Sequence, residues 1–452
     1  MERGLPQGRI GVALVWTEKR SGTIAPDERL PWGATVAMGV QHVLAMFGAT
    51  VVAPLIMGFD PNLAILFSGI GTLIFFAFVG GRVPSYLGSS FAFIGPVGAV
   101  IAGGGTIPQA LGGVIACGLV YALIGLVVQF TGAGWVDRLL PPLVTGAVVA
   151  IIGLNLAGAA RNMAAADPLV AVVTVLAIFV VGLRTGGILG RLPILLGTVI
   201  GYLAALLLRG GAPEGRQILG SSGPGVDFSG VASAAWFGWP RFQTPELNWT
   251  AVSLIAPVAI ALVAENAGHI KAVSEMTGRN LMPYLGRGFI GDGVATMVAG
   301  AGGGTGVTTY AENIGVMAVT RVYSTVIFLV AAGVALLLGF SPKFGALIQS
   351  IPSGVLGGVA TVLFGLIAAT GARIWVANRV DFSSGGNLFV AAVTLIIGAA
   401  DYTLNLGGFA LNGITLGTFG AIVLYQLFGR DARPDDFEFV ADDAIAAAEK
   451  TS

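Results

Sequence analysis

Two glutamates stand in sequence that otherwise has the character of a membrane span. Residues 252–264 carry no charge up to Glu265, and residues 314–319 are apolar beyond Glu312. A carboxylate costs at least a few kcal/mol to place in a bilayer, so such acids usually serve a substrate, an ion or a proton path. His269 follows Glu265 at the i+4 position, which puts both side chains on one face of a helix. This pattern predicts a transporter.

Three other polar residues have a plainer interpretation as well as a functional one. His42 is as consistent with a hydrogen-bonded core histidine as with a direct role. Asp292 is interpreted as a structural or solvated acid near the inner face, and Arg321 as part of the inner interface. The Glu312 carboxylate can also complement a helix N-terminus, whether or not it binds a ligand.

The chain does not contain the residue sets expected of an intramembrane enzyme. It has two histidines and one cysteine, and neither an HExxH nor a GxSxG motif. We therefore expect no catalysis, no bound metal and no cofactor. The lone Cys117 cannot form an intrachain disulfide and is expected to serve only in packing.

The composition is that of a membrane protein. The chain is 55% hydrophobic and 10% charged, whereas an ordinary soluble domain is roughly a quarter charged. Apolar stretches approach the length of about 20 residues that crosses a bilayer, and with the less regular ones they predict about fourteen spans. The 70 glycines lie mostly within these stretches, which suits closely packed helices. The clearest spans are 64–79, 114–130, 143–156, 170–181, 192–208, 326–338, 355–369 and 388–399.

The charge distribution predicts the orientation. Residues 1–31 are polar and have no continuous apolar stretch, so they are expected to remain as a cytoplasmic tail. With both termini inside, the predicted inner loops collect most of the lysine and arginine, as the positive-inside rule requires. The prediction is a multi-pass protein of the inner cell membrane with cytoplasmic termini.

The sequence resembles itself about 220 residues further on, which indicates an internal repeat. Ile94-Gly95 returns as Ile314-Gly315, and Leu196-Gly197-Thr198 returns as Leu416-Gly417-Thr418. Seven spans in each repeat would invert the second relative to the first, as in many secondary transporters. The predicted organisation is a tail 1–31, a first repeat 32–209, an outer loop 210–248, a second repeat 249–430 and a cytoplasmic tail 431–452.

Two segments at equivalent positions of the repeats differ from plain helices. Residues 84–96 have prolines near both ends and serines between them, and residues 302–315 open with glycines and continue through Thr308-Thr309-Tyr310, which favours a strand. Ala92 aligns with Glu312. Paired broken segments point to a midplane binding site, where unwound backbone and helix N-termini face the ligand. Glycine-rich turns between spans are the alternative.

Four motifs resemble the nucleobase/ascorbate transporter family, also called nucleobase:cation symporter-2, with the bacterial uracil permeases as the nearest pattern. The resemblance extends over about residues 32–429. Glu312, Asn313, Gly315, Thr320 and Arg321 match the family signature in full. The motifs are residues 41–50, residues 86–94, residues 264–269 and residues 308–324.

The resemblance implies an all-α protein of fourteen spans in two inverted repeats, with short strands in spans 3 and 10. It implies a core of spans 1–4 and 8–11, a gate of spans 5–7 and 12–14, and a homodimer. The acid matching Glu265 would accept hydrogen bonds from ring N–H groups, and Glu312 would bind from the other side. The backbone at Phe91 and Ala311 would complete the contact, with His269 nearby.

Uracil chemistry fits these residues. The ring alternates N–H donors and C=O acceptors in one plane, so carboxylates, backbone amides and an aromatic cover such as Phe91 or Tyr310 would bind it. Supporting roles are predicted for residues near these groups, namely His42, Ser90, Asn313 and Asp292. The predicted substrate is a nucleobase, with uracil first.

The paired acids also predict proton coupling. Burial and a like-charged neighbour each disfavour ionisation, so one of Glu265 and Glu312 should carry a proton near neutral pH. We expect proton symport with elevator-like access and His269 as a relay, and the sequence leaves sodium coupling open.

Departures from the uracil pattern leave alternatives. Ala311 stands where glycine is expected, Gly306-Val307 where Pro-Asn is expected, and Asn266 where histidine is expected. A xanthine, urate or broader pyrimidine permease therefore remains open. An anion carrier of similar architecture is a different class, but two acids would repel its ligand.

Overall fold

The computed structural model describes residues 15–186, 189–211, 223–406 and 409–429. Within them the chain is mostly helical, with three short two-stranded sheets. The strands are β1 (Thr17–Glu18), β2 (Glu28–Arg29), β3 (Leu87–Ser89), β4 (Val307–Thr309), β5 (Leu404–Leu406) and β6 (Phe409–Leu411). The predicted tail 431–452 and parts of the predicted first tail and outer loop lie outside the described residues.

The helices of the first half begin at Trp32 and end at Arg209. They are α1 (Trp32–Met57), α2 (Pro61–Phe78), α3 (Ile94–Ala102), α4 (Ile107–Thr131), α5 (Gly134–Leu139), α6 (Pro142–Asn155), α7 (Ala157–Ala166), α8 (Pro168–Arg184) and α9 (Pro193–Arg209). Several start on proline at the first helical position, where its missing N–H leaves no hydrogen bond unmade. Thr106 and Gln109 form a capping box at the start of α4.

The remaining helices begin at Ser229, within the predicted outer loop 210–248. They are α10 (Ser229–Ser233), α11 (Trp249–Ile255), α12 (Val258–Thr277), α13 (Leu285–Gly302), α14 (Ala311–Thr320), α15 (Thr325–Gly339), α16 (Pro342–Gln349), α17 (Ser353–Ala377), α18 (Gly385–Ala399) and α19 (Gly413–Phe428). Short 3-10 turns add Phe91–Phe93, Leu189–Arg191 and Met282–Tyr284.

Several helices have the length and composition of membrane spans. Among the described residues six pass on both counts, and the pair α15 and α16, bent by 82°, would make a seventh. Shorter apolar helices of 10–17 residues add to them. The prediction of a multi-pass helical membrane protein is confirmed.

The helices pack into two bundles with few contacts between them. The first bundle contains α1–α4 and α11–α15, and the second contains α6–α9 and α17–α19. Glycine allows close approach in each: a Cβ atom on Gly118 of α4 would lie 2.6 Å from the Gly293 oxygen of α13, and one on Gly371 of α17 would lie 2.4 Å from the Gly146 oxygen of α6. The predicted use of glycine for close helix packing is confirmed at these contacts.

Residues 15–31, called the N-terminal strap below, bind the ends of α12, α14 and α15. Ile24 is fully buried, its amide donates to the Arg321 oxygen at 3.0 Å, and the Tyr323 amide donates to the Ile24 oxygen at 2.8 Å. Asp27 pairs with Arg279 just beyond α12 at 2.6 Å. The part of the predicted tail that is described is therefore packed on the protein.

A buried ion pair fixes one end of the second bundle. Arg209, at the end of α9, donates to both carboxylate oxygens of Asp167 at 2.6 and 2.8 Å, and both residues are almost fully buried. Asp167 also caps α8 by accepting from the Val170 amide. The sequence did not predict this contact between residues 42 positions apart.

Candidate functional site

Strands β3 and β4 form the centre of the candidate site. They pair antiparallel, with Gly88 opposite Thr308, and the pairing continues through Ser90 N to Gly306 O at 2.9 Å and Tyr310 N to Tyr86 O at 3.0 Å. The short strands predicted in both broken segments are present. Because the strands are antiparallel, the helical segments that follow them continue from opposite ends of this three-residue ladder.

Threonine hydroxyls satisfy backbone groups at the outer edges of this small sheet. Thr72 of α2 accepts from the Leu87 amide at 2.9 Å. Thr296 of α13 accepts from the Val307 amide at 3.2 Å and donates to the Val307 oxygen at 3.0 Å. A buried edge needs such partners because water cannot reach its backbone groups. The sheet is thus anchored to one helix on each side.

Tyr310 connects the second segment to the first. Its hydroxyl donates to the Ser89 oxygen at 2.8 Å and accepts from Thr50 at 3.1 Å. Its ring lies on Gly88, where a Cβ atom would be 2.5 Å from the ring carbon that bears the hydroxyl. The sequence prediction offered Tyr310 as a cover for a substrate ring, and the structure places its ring on strand β3.

The two glutamates come together beside these strands. Glu312 lies in the first turn of α14, and Glu265 lies on α12, which packs against α14. Both side chains are partly exposed, and they are close enough for the charge of one to act on the other. Neither forms an ion pair with a cation of the described chain, so the pair is open to a ligand or a proton.

His269 is held against strand β4. Its Nδ1 lies 2.8 Å from the Thr309 hydroxyl, and it follows Glu265 by one helical turn on α12. The hydrogen bond orients the ring at the site. The sequence predicted the shared helix face but not the threonine partner, which arrives from a separate segment.

His42 and Asn313 form a buried contact behind the glutamates. The Asn313 amide nitrogen lies 3.0 Å from His42 Nδ1 and donates to the His42 oxygen at 3.1 Å. His42 is fully buried and its ring lies 4.8 Å from that of Phe328. This contact links α1 to α14 at the residue after Glu312, which favours the core interpretation of His42.

Asp292 is buried, so its interpretation as a solvated acid is wrong. It accepts from the Asn266 amide and, at 3.3 Å, from the Tyr121 hydroxyl, and all three side chains are fully buried. Asn266 directly follows Glu265. The structural interpretation of Asp292 therefore holds.

Phe91 and Ala311 are the first residues of the helical segments that follow the strands. Phe91 is 8% exposed, and its ring meets that of Phe364 in the second bundle edge-on at 5.6 Å. Ser90 accepts from the Ala92 amide at 3.3 Å and so caps this turn. Ala311 is exposed. The site thus lies at the face where the two bundles meet.

Sequence inspection did not single out several residues that support the site. Buried hydrogen bonds there are made by Thr50, Thr72, Thr296 and Tyr121, and Thr309 makes a partly buried one to His269. The sequence signal that could have found them is the recurrence of polar residues on otherwise apolar helices, since each such residue must find a hydrogen-bond partner in the membrane.

The fold is similar to those of two proteins of known structure. It superposes on the overall structure of SLC26A9 with a TM-score of 0.61 at 13% identity, over 87% of this chain and 64% of that chain. It superposes on the transmembrane domain of the cyanobacterial bicarbonate transporter BicA with a TM-score of 0.59 at 15% identity, over 87% of this chain and 97% of that one. Identities this low show the fold alone.

Sequence comparison then assigns the family. Residues 33–407 match the family model described as "Permease family". The chain is 59% identical over 422 residues to the "Putative pyrimidine permease RutG" of Escherichia coli K12, covering 92% of this chain and 94% of that protein. It is 39% identical over 436 residues to the uracil permease of the same strain, covering 93% and 98%. The protein belongs to this permease family, the nucleobase/ascorbate transporters, as its motifs predicted.

Proposed function

We propose that the protein is a secondary active transporter that imports a nucleobase, with uracil as the first candidate, by proton symport. The observation that carries the proposal is the pair Glu265 and Glu312, which lie beside the paired strands and form no ion pair with a cation in the described part of the chain. Acids within membrane-spanning sequence usually serve a substrate or a coupling ion.

In this proposal, the substrate lies between the starts of the two helical segments. Glu265 accepts a ring N–H, Glu312 binds from the other side, and the backbone at Phe91 and Ala311 meets the remaining edge. The Phe91 ring supplies the aromatic face, because the Tyr310 ring is already packed on Gly88. His269, oriented by Thr309, completes the polar rim.

The same acids couple transport to protons. Two neighbouring carboxylates in a site of low polarity cannot both stay charged at low cost, so the pair holds one proton between them. A bound ring N–H then satisfies the ionised member. Loading of the proton and the nucleobase is therefore ordered, with His269 as the proton relay. The experiment below also tests whether sodium takes the place of the proton.

We further propose that the first bundle is the moving core and the second bundle the gate. On this view α13, α14 and the shorter apolar helices also cross the membrane, giving fourteen spans in two inverted repeats. The protein would act as a homodimer in the inner membrane with both termini in the cytoplasm.

A wider pyrimidine range is the second candidate. Identity of 59% to a protein named for pyrimidines favours it, and Val307 and Ala311 change the immediate surroundings of the site. A purine substrate and an anion have less support, the anion because the site presents two acids and its described part offers no paired cation.

Counterflow in proteoliposomes tests the proposal. Vesicles loaded with unlabelled uracil, thymine, xanthine or sulfate take up radiolabelled uracil, with and without an inward proton gradient and with or without sodium. We expect exchange with uracil, stimulation by the gradient and no effect of sulfate. Equal exchange with thymine would favour the wider range, while sulfate competition without nucleobase exchange would overturn the proposal.

A further inference from the structure

The repeat alignment pairs Gly95 with Gly315, yet the structure treats these glycines differently. A Cβ atom on Gly95 would lie 3.0 Å from Asn155 Oδ1 and 3.5 Å from Asn412 Nδ2. A Cβ atom on Gly315 would meet no described atom within 4 Å. The α3 side of the site is therefore covered by the second bundle, and the α14 side is open.

Exposure along α14 agrees with an open side. Ala311, Gly315 and Ala318 are exposed or contact nothing on one face of the helix, beginning at the residue before Glu312. On α3 the corresponding exposure begins only at Gly98, beyond the contact with the second bundle.

The residues that cover Gly95 form a connected cluster in the second bundle. The Asn155 amide donates to the Gly398 oxygen at 2.8 Å and to the Asp401 carboxylate at 3.0 Å. The same Asp401 oxygen accepts from the Gly413 amide at 2.9 Å, with Asp401 in the left-handed region at a φ of 49°. Asn155 is thereby held in one orientation toward α3.

Asn412 has a donor without a partner. The side chain is 2% exposed, and its Oδ1 caps α19 by accepting from the Thr415 amide at 3.0 Å. Its Nδ2 is buried and makes no hydrogen bond in the described chain. An unpaired buried N–H is costly, so a group that faces Gly95 in this way is suited to a contact that changes during transport.

We propose that Asn155, Asp401 and Asn412 form a latch that closes the α3 side of the site by contact with Gly95. Release of the latch lets α3 move away from the second bundle while the α14 side closes. This inference rests on the proposed function, because it assumes that the site opens alternately to the two sides.

Thiol accessibility tests the latch in a Cys117→Ser background, since Cys117 is the only native cysteine. Ile414→Cys reports on the covered side, where Ile414 is fully buried next to Gly95, and Gly315→Cys reports on the open side. The reagent is a small uncharged maleimide, applied to the purified protein in detergent so that both sides are reachable.

Gly95→Leu should raise the alkylation rate of Ile414→Cys about threefold or more and lower that of Gly315→Cys, because its side chain clashes with the closed latch and the population shifts between two states. Asn412→Ala should shift both rates in the opposite directions, because it removes a buried donor that has no partner while the latch is closed. Gly98→Leu, on the same helix with no described neighbour within 4 Å, should change neither rate. A variant that merely loosens the fold would raise both rates, and that result would overturn the latch.

Asn412→Ser separates the latch from helix capping. Serine keeps an oxygen that can cap α19 but lacks the amide N–H. A latch predicts that Asn412→Ser behaves like Asn412→Ala in both accessibility and uracil KM, while a capping role alone predicts that it behaves like the unaltered residue. Wild-type counterflow is measured in parallel: if it is absent, the proposed function fails, whereas intact counterflow with unshifted accessibility overturns the latch alone.

Discussion

The two broken segments share a local design and differ in charge and access. Each has a three-residue strand followed by a helical segment, and the strands pair with each other. The first places Ala92 and a covered Gly95 after its strand, whereas the second places Glu312 and an open Gly315 there. Two segments of the same local design thus present an asymmetric site, with the acid on the segment that is open.

The largest expected effect comes from removing the charge of Glu312, in the second broken segment, or that of its neighbour Glu265. Glu312→Gln and Glu265→Gln should each lower proton-driven uracil uptake by a factor of about 10 to 150, the value of a hydrogen bond to a buried charge. Uptake by both variants is measured across a pH gradient. Glu275→Gln is the matched control, since Glu275 is exposed on the same helix as Glu265. Full gradient-driven uptake by both site variants would show that coupling lies elsewhere.

The next prediction concerns the contact between Gly88 and the Tyr310 ring, which joins the two broken segments. Gly88→Ala would put a methyl group 2.5 Å from the Tyr310 ring, which is also held at its hydroxyl. Overpacking of this kind typically costs about 1–3 kcal/mol, so thermal stability and uptake should both fall. Gly98→Ala, which meets no described atom within 4 Å, should be silent. If Tyr310→Ala does not restore stability to Gly88→Ala, the ring is not the obstacle.

A smaller effect is expected at the Tyr310 hydroxyl. Tyr310→Phe leaves the Ser89 oxygen and the Thr50 hydroxyl without this partner, at a cost of about 1–3 kcal/mol. Thr50→Val removes part of the same network, so the double variant should lose less than the sum of the single losses. Thermal unfolding measures this coupling. A rise in uracil KM with unchanged stability would instead place the hydroxyl at the substrate.

The smallest effect on transport is expected at the N-terminal strap. Of the two broken segments, the strap contacts only the second, at the end of α14. Ile24→Ala removes buried contacts with the segment after α14, so amide exchange should quicken over Ala311–Thr320 and stay unchanged over Ile94–Ala102. Val15→Ala, on the same strap but 83% exposed, is the control. An equal change in amide exchange in α3 and α14 would show that the strap does not distinguish the two segments.

Much of the site could be predicted because its signals are local. Glu265 and Glu312 are conspicuous in apolar sequence, the broken segments carry proline, glycine and strand-forming residues, and the signature motif identifies the family. The role of Tyr310 could not be predicted, because an aromatic residue near a ligand site and one packed on a glycine have the same local sequence. Asp292 was misjudged for a similar reason, since its partner Tyr121 lies 171 residues away.

The membrane class, the family and the two acids could be identified from the sequence alone, since hydropathy, charge cost and motif spacing are properties of neighbouring residues. Only the tertiary structure decided that residues 87–89 pair with 307–309, that Thr309 orients His269, and that Gly95 is covered while Gly315 is open. This division arises because a buried polar group needs a hydrogen-bond partner and a glycine surface accepts a closely packed neighbour. Which distant segment meets that need depends on how the helices pack.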